Sequence, residues 1–283
     1  MGKKYSRRKA IPWLTWLAKR MVSQSKTIFL LEKLQPSYFQ SKIDKIIYVI
    51  ANFLFISTII GISFWMLSSS VFEFKKALII GFIFGVSTGL KVSSATSDEI
   101  FLYENLKWSW RRAKSKLIFS IGIGFVILIA DMLVAYEPSI FILFRGSIIS
   151  FVFFLISGVI NGKVERRIAP NQGIYTSIKN GIAIGLISGF TAGMLISLSL
   201  GTRYGLLFGI IFGVNLFILT GGITAFCHYN LRLILSYKDM ILFDYINFLN
   251  YISKILLMKK VGGGYVFYHR MLMEHFANMK LER

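Results

Sequence analysis

The sequence predicts an all-α polytopic membrane protein of about six transmembrane helices arranged as three hairpins, with interfacial helices and a small cytosolic helix-strand-helix C-terminal module. Three observations lead there. Of the 283 residues, 55% are hydrophobic and 16% charged, and the mean hydropathy is +0.62, a balance that suits membrane chains and not soluble domains. Apolar runs near the roughly 20 residues a bilayer requires alternate with basic segments. Finally, glycine recurs every fourth residue at Gly181, Gly185, Gly189 and Gly193, and again at Gly205, Gly209 and Gly213. Such a ladder is a poor helix in water, where each interior glycine costs roughly 1 kcal/mol against alanine. In lipid it forms a bare ridge that lets two backbones approach closely.

Taken in order, residues 1–45 form a basic amphipathic segment. Lys3, Lys4, Arg7, Arg8 and Lys9 precede an amphipathic stretch and no continuous apolar core, so no cleavable signal peptide is expected and the first span serves as the insertion signal. Trp13, Leu17 and Met21, with Lys19, Arg20, Lys26 and Lys33 between the apolar groups, suit either interfacial helices on an anionic leaflet or a short soluble helical pair. Pro36 ends this part.

The membrane domain covers 46–229, with spans at 46–67, 71–90, 117–136, 140–160, 181–200 and 204–229. The second span carries its own ladder, Gly81, Gly85 and Gly89, which makes it the expected packing companion of the later one. Residues 98–116 read as an interfacial helix, with Tyr103, Leu106, Trp110 and Ala113 recurring at three and four against a stripe of Lys107, Arg111 and Lys114. Residues 161–180 read as a polar connector, more loop than helix, around Pro170 and Gly173. The approaches to the third and fifth spans resemble one another weakly, as an internal repeat would.

Residues 230–283 form the C-terminal module. Tyr245, Phe248, Leu249, Ile252 and Leu256 share one helical face, and Lys259, Lys260 and the glycines at 262–264 read as a helix stop. A short extended piece and a second helix follow, with Arg270 and Glu274 spaced to pair.

All but four of the 33 Lys and Arg (Lys75, Lys76, Arg145 and Arg203) lie outside the apolar spans and their opposite loops. The net charge of +20 is therefore topological first, and it predicts an integral membrane protein of a bacterial inner or plasma membrane, or of a thylakoid, with both termini cytoplasmic. Without a recognisable motif, nucleic acid is an improbable partner.

Candidate chemistry is sparse. Asp131 and Arg145 fall at similar depth on one hairpin, and an intramembrane ion pair is the economical reading of two charges that each cost about 3 kcal/mol alone. Asn215 suits an interhelical hydrogen bond. His269 and His275 are six apart and face different ways, and Cys227 lies alone in an apolar run, so no zinc pattern exists. No phosphate-binding loop, nucleophile triad or carboxylate pair is present, so no cofactor, metal or catalytic residue is expected.

Several phrases together resemble the C-terminal membrane region of bacterial, chiefly cyanobacterial, NACHT-type signal-transduction NTPases. They are WLAKRMVSQSKTIFLLEKLQPSYFQ, ENLKWSWRRAK, APNQGIYTSIKN, the glycine-ladder spans and FDYINFLNYISKILLMKKVGGGYVFYHRMLMEHFA. Within the last, Phe267, His269, Glu274, Phe276 and Ala277 match the F-x-H-x-x-x-x-E-x-F-A phrase of such proteins. The nucleotide-binding core of that family is not found in these residues. The resemblance thus implies a non-enzymatic membrane part that anchors, or transduces a signal for, a cytosolic NTPase-type switch. A lipid bilayer with anionic headgroups and a homo-oligomer are further expected partners. The alternative is a channel, pore or small-solute transporter built on Asp131, Arg145, Asn215 and the ladders.

Overall fold

The computed structural model describes residues 5–39, 41–69, 72–102, 105–134, 146–147, 150–151, 154, 157–162 and 168–280. It is mostly helical. Helix α1 (Arg7–Ser23) is followed by two 3₁₀ turns (Leu31–Lys33 and Pro36–Tyr38) and by the long helices α2 (Lys42–Ser68) and α3 (Phe74–Ala95). Strand β1 (Asn105–Trp108), helix α4 (Trp110–Ser115), helix α5 (Leu117–Val134) and strand β2 (Val159–Gly162) come next. Helix α6 (Gln172–Leu200) is then followed by α7 (Thr202–Phe217), a π turn (Ile218–Gly222) and α8 (Ile223–Tyr237). The chain closes with α9 (Tyr245–Lys254), β3 (Met258–Val261), β4 (Gly264–Phe267) and α10 (Arg270–Asn278).

Among the described residues, four helices are long and apolar enough to cross a membrane: α2, α3, α6 over Gln172–Ser197, and the continuous α7–π–α8 rod over Thr202–Tyr237. On helix α5, the fully described part, Leu117–Val126, is a further apolar run. The expected span at 140–160 falls largely outside the described residues, and its last two residues belong to β2.

Glycine decides how the hairpins close. On α6 and α7 the two ladders face each other: a Cβ on Gly185 would stand 2.7 Å from the Gly213 carbonyl, one on Gly189 2.7 Å from that of Gly209, and one on Gly193 2.9 Å from that of Gly205. Contacts below 3 Å admit no side chain, so the two backbones touch along the whole seam. Gly181 continues it against Gly221, where a Cβ would meet backbone at 2.8 Å. A four-residue ladder drifts by about 40° per step round an α-helix. The wider π turn at Ile218–Gly222 rewinds part of that drift and returns Gly221 to the seam.

The first hairpin uses the same device with its own partner. Gly81 and Gly85 face Gly61 and Ser57 of α2, and Gly89 faces Phe53 and Ser57. The ladder of α3 is therefore spent inside its own hairpin, which corrects its expected role as companion of the α6–α7 seam. Gly124 and Gly146 mark a third close contact, between α5 and the segment returning to β2, where Ser150 donates to the Ser120 carbonyl at 2.8 Å.

The two ends of the chain do not form separate segments. Helix α1 packs on α9 and α10, and Trp13, Leu14, Trp16, Leu17, Ala18 and Met21 are all buried. Trp13 meets Phe248 edge-on at 5.2 Å, and Phe29 meets Tyr245 at 6.0 Å. Phe29 also pairs with Tyr265, exchanging backbone hydrogen bonds of 2.8 and 2.9 Å, so the N-terminal segment adds a bridge to the β3–β4 hairpin. Burial pushes the Tyr245 phenol far up, keeping it protonated as a donor to the Trp13 carbonyl at 3.3 Å.

Because six consecutive residues of α1 are buried, its apolar side is packed against protein. Leu17, at 0% exposure, tests it. Leu17→Ala is expected to cost about 2–5 kcal/mol and to lower the thermal midpoint of the purified chain by several degrees. A helix lying on lipid would show little change.

Three further local expectations are corrected. Residues 105–108 are a strand paired with β2, Asn105 opposite Gly162 and Trp108 opposite Val159, so the interfacial helix expected over 98–116 shrinks to α4. Helix α6 begins at Gln172, inside the stretch expected to be a connector. Lys259 and Lys260 lie on β3, and Gly262, with φ of +57°, turns a hairpin where a helix stop was expected. The β3 residues opposite the turn pair directly, Val261 with Gly264, so the module reads helix, strand, turn, strand, helix.

Candidate functional site

The residues that join this terminal module to the spans form a buried polar junction, and three clasps build it. The first is made at the start of α6. Asn171 precedes the helix with φ of 62° and makes no capping bond of its own. Instead, the backbone N–H of Gly173 donates to Glu32 Oε2 at 2.6 Å, across 141 residues of chain. A carboxylate at a helix N-terminus meets both an orphan donor and the positive end of the dipole. Arg232 of α8 donates to Asn171 Oδ1 at 2.6 Å and lies close enough to Glu32 to act on it electrostatically. Glu32 is 1% exposed, so cation and anion share a desolvated site.

The second clasp ties α8 to α2. Asn230 donates to Asn52 Oδ1 at 2.9 Å and to the Tyr48 carbonyl at 3.3 Å. Phe226 stacks on Phe55 with ring centroids 3.7 Å apart. Immediately after α8, Lys238 stands 3.4 Å from the buried carboxylate of Asp44.

The third clasp holds the loop after α3. Gln35 uses both ends of its amide on Ile100, donating to its carbonyl at 3.3 Å and accepting from its N–H at 2.7 Å. Thr224 of α8 donates to the Phe101 carbonyl at 2.7 Å. Tyr48 donates to the Thr96 carbonyl at 3.4 Å, and Lys45 pairs with Asp98 at 2.6 Å. The hydrogen bond and charge of Lys45 hold the Asp98 carboxyl below its usual range. A depressed carboxylate contributes above its ordinary pKa and loses that contribution as pH falls through the lowered value. Asp98→Asn is therefore expected to remove a small stability increment that wild type retains at neutral pH and sheds below about pH 4, read from thermal midpoints across an acid series.

At the centre lies His228, 1% exposed, with neither ring nitrogen hydrogen-bonded among the described residues. It stands one turn before Arg232. Cys227 beside it is buried and free. Among the described residues no three His, Cys, Asp or Glu gather as metal ligands would.

The sequence-predicted residues are placed as follows. The ten ladder glycines line the seams described above. Asn215 donates to the Ile211 carbonyl of its own helix at 2.8 Å, not across helices. Of the expected ion pair, Asp131 falls on α5 and Arg145 lies outside the described residues, as does the pairing itself. Of the C-terminal phrase, Phe267 and Phe276 are core, their rings 6.1 Å apart, while Ala277 is half-buried against the same cluster. Glu274 accepts from Arg270 at 2.7 Å, and His269 is the exposed residue preceding α10. This phrase thus seats α10 on β4.

Sequence reasoning missed the junction itself. Its signal was present: Glu32 is the first acid in the chain, and Asn52, Asn230 and Arg232 interrupt apolar helices. Polar residues in such places are costly unless paired.

Comparison with family models, with characterised proteins and with solved structures found no match. Among the described residues, four helices have the length and composition of membrane spans, which suggests a membrane protein.

Proposed function

We propose that this chain is a non-enzymatic integral membrane module that anchors a cytosolic NTPase-type switch and passes its state to the membrane helices. The observation that carries this reading is the junction. A module made from both ends of the chain is fastened to the start of α6 through Glu32 and to the loop after α3 through Gln35. Helix α8 is tied in turn to that loop by Thr224 and to α2 by Asn230, so a force on the module reaches the spans through one connected set of contacts. Buried polar contacts between distant segments hold specific geometry, which is what a coupling element needs.

In this reading the six spans form three hairpins, and the module lies in the cytoplasm with both termini, because the basic segments cluster at the module end. The surrounding medium is a bilayer with anionic headgroups. A homo-oligomer would use the outer apolar faces, since the ladder glycines are consumed within hairpins. The pore reading has less support, because Asn215 turns to its own helix and the ladders close on each other.

Purification of the whole chain from mild detergent after cross-linking tests the proposal. A cytosolic NTP-hydrolysing protein is expected to co-purify. Repeated recovery of the chain alone, or solute flux through vesicles containing only this chain, would contradict it.

A further inference from the structure

We infer that the elbow formed by α4 and the first turn of α5 is a binding surface for anionic lipid headgroups. The inference rests on the reading that α5 enters a bilayer. Arg111, Arg112, Lys114 and Lys116 are all exposed, and residues 105–130 contain no Asp or Glu. Trp110 is 64% exposed beside them, and Ile118 and Phe119, just past the bend, are 85% and 66% exposed. The elbow therefore presents four cations and an exposed aromatic next to an apolar surface, the side chains that meet at a membrane interface.

The elbow is held in place and does not trail. Ala113 is fully buried, the Ser109 hydroxyl accepts from the Arg112 N–H at 3.3 Å, and the Ser109 N–H donates to the Gly158 carbonyl at 2.8 Å. The β1–β2 pairing ties the same segment to the returning strand. Lys116, at φ −103° and ψ 1°, breaks the helix between α4 and α5. Guanidinium groups carried on a fixed backbone can each take a phosphate through two hydrogen bonds at a smaller entropic cost than those of a mobile tail. Helix α1 is also basic, but its apolar residues are buried in the module, so it lacks the lipid-facing half of such a surface.

The test uses the whole chain in phosphatidylcholine vesicles containing a minority of phosphatidylglycerol, with bromine on the acyl chains of one lipid or the other. The fluorescence difference between wild type and Trp110→Phe isolates Trp110. At equal mole fraction, brominated phosphatidylglycerol is expected to quench that component severalfold more than brominated phosphatidylcholine, given roughly fivefold local enrichment per cation. The excess should fall as salt rises and vanish when Arg111, Arg112, Lys114 and Lys116 are all changed to Gln. Equal quenching by the two lipids in wild type would overturn the inference whatever the variants do, as would equal quenching accompanied by binding of a soluble polyanion such as polyuridylate. No partner protein is present, so failure here is separable from failure of the switch-anchoring reading.

Discussion

Gly209→Leu is expected to prevent the α6–α7 hairpin from closing and to remove the chain from the monodisperse fraction after extraction. A Cβ at this position alone would stand 2.7 Å from the Gly189 carbonyl and 2.9 Å from the Gly193 Cα. Both obstacles are backbone, so no rotamer change can relieve them. Overpacking of an ordinary core costs about 1–3 kcal/mol, and a whole isobutyl group in a backbone contact should exceed the upper end of that range. Gly122 is the control, because a Cβ there meets nothing within 4 Å. Gly122→Leu should leave the thermal midpoint unchanged or raise it slightly through better helix propensity. If the two variants behaved alike, the seam would not be what holds the hairpin.

The second large effect is expected at the junction. Arg232→Met removes the cation that faces Glu32 and the donor to Asn171 while keeping an apolar stem of similar length. Leaving the buried Glu32 carboxylate without its nearby cation is destabilising, and the charged hydrogen bond to Asn171 at 2.6 Å, of a kind that contributes about 1.5–3 kcal/mol, is lost as well. The midpoint is expected to fall by at least several degrees, with protease sensitivity rising first in residues 31–38, where Glu32 is anchored. Glu32→Gln combined with Arg232→Met should recover much of the loss, because the double change leaves no uncompensated charge. Additive losses in the double variant would mean that the two side chains do not share a site.

These two effects also mark what was legible in the amino-acid order. The ladders were legible because glycine at a four-residue period in an apolar helix has one structural use in lipid. Their pairing was not legible: Gly81, Gly85 and Gly89 meet Gly61 and Ser57, a single small pair four residues apart that is too short to stand out as a ladder. The face of α9 was read correctly at Tyr245, Phe248, Leu249 and Ile252, all buried, whereas Leu256 lies beyond the helix end, with φ of 62° and 68% exposure. Local cues misled at Lys259, Lys260 and Gly262, since basic residues followed by glycine suit a helix stop and a hairpin turn equally well. The strand at Asn105–Trp108 was hidden for a different reason. Its partner, Val159–Gly162, is about fifty residues away, and pairing overrode an amphipathic helical pattern. Glu32, Asn171 and Arg232 come from three distant segments, so only the tertiary fold brings them together.

The central claim is that both ends of the chain close into one module fastened to the membrane helices. It is tested most directly by the distance between spin labels at Val22→Cys and Arg270→Cys in a Cys227→Ser background, measured by electron paramagnetic resonance in vesicles. Both positions border the same cavity between α1 and α10, of about 290 Å³, and both are solvent-exposed. One narrow, short-distance population is expected, identical in detergent and in lipid. A broad distribution extending to long distances would show the two ends to be independent and would contradict the account.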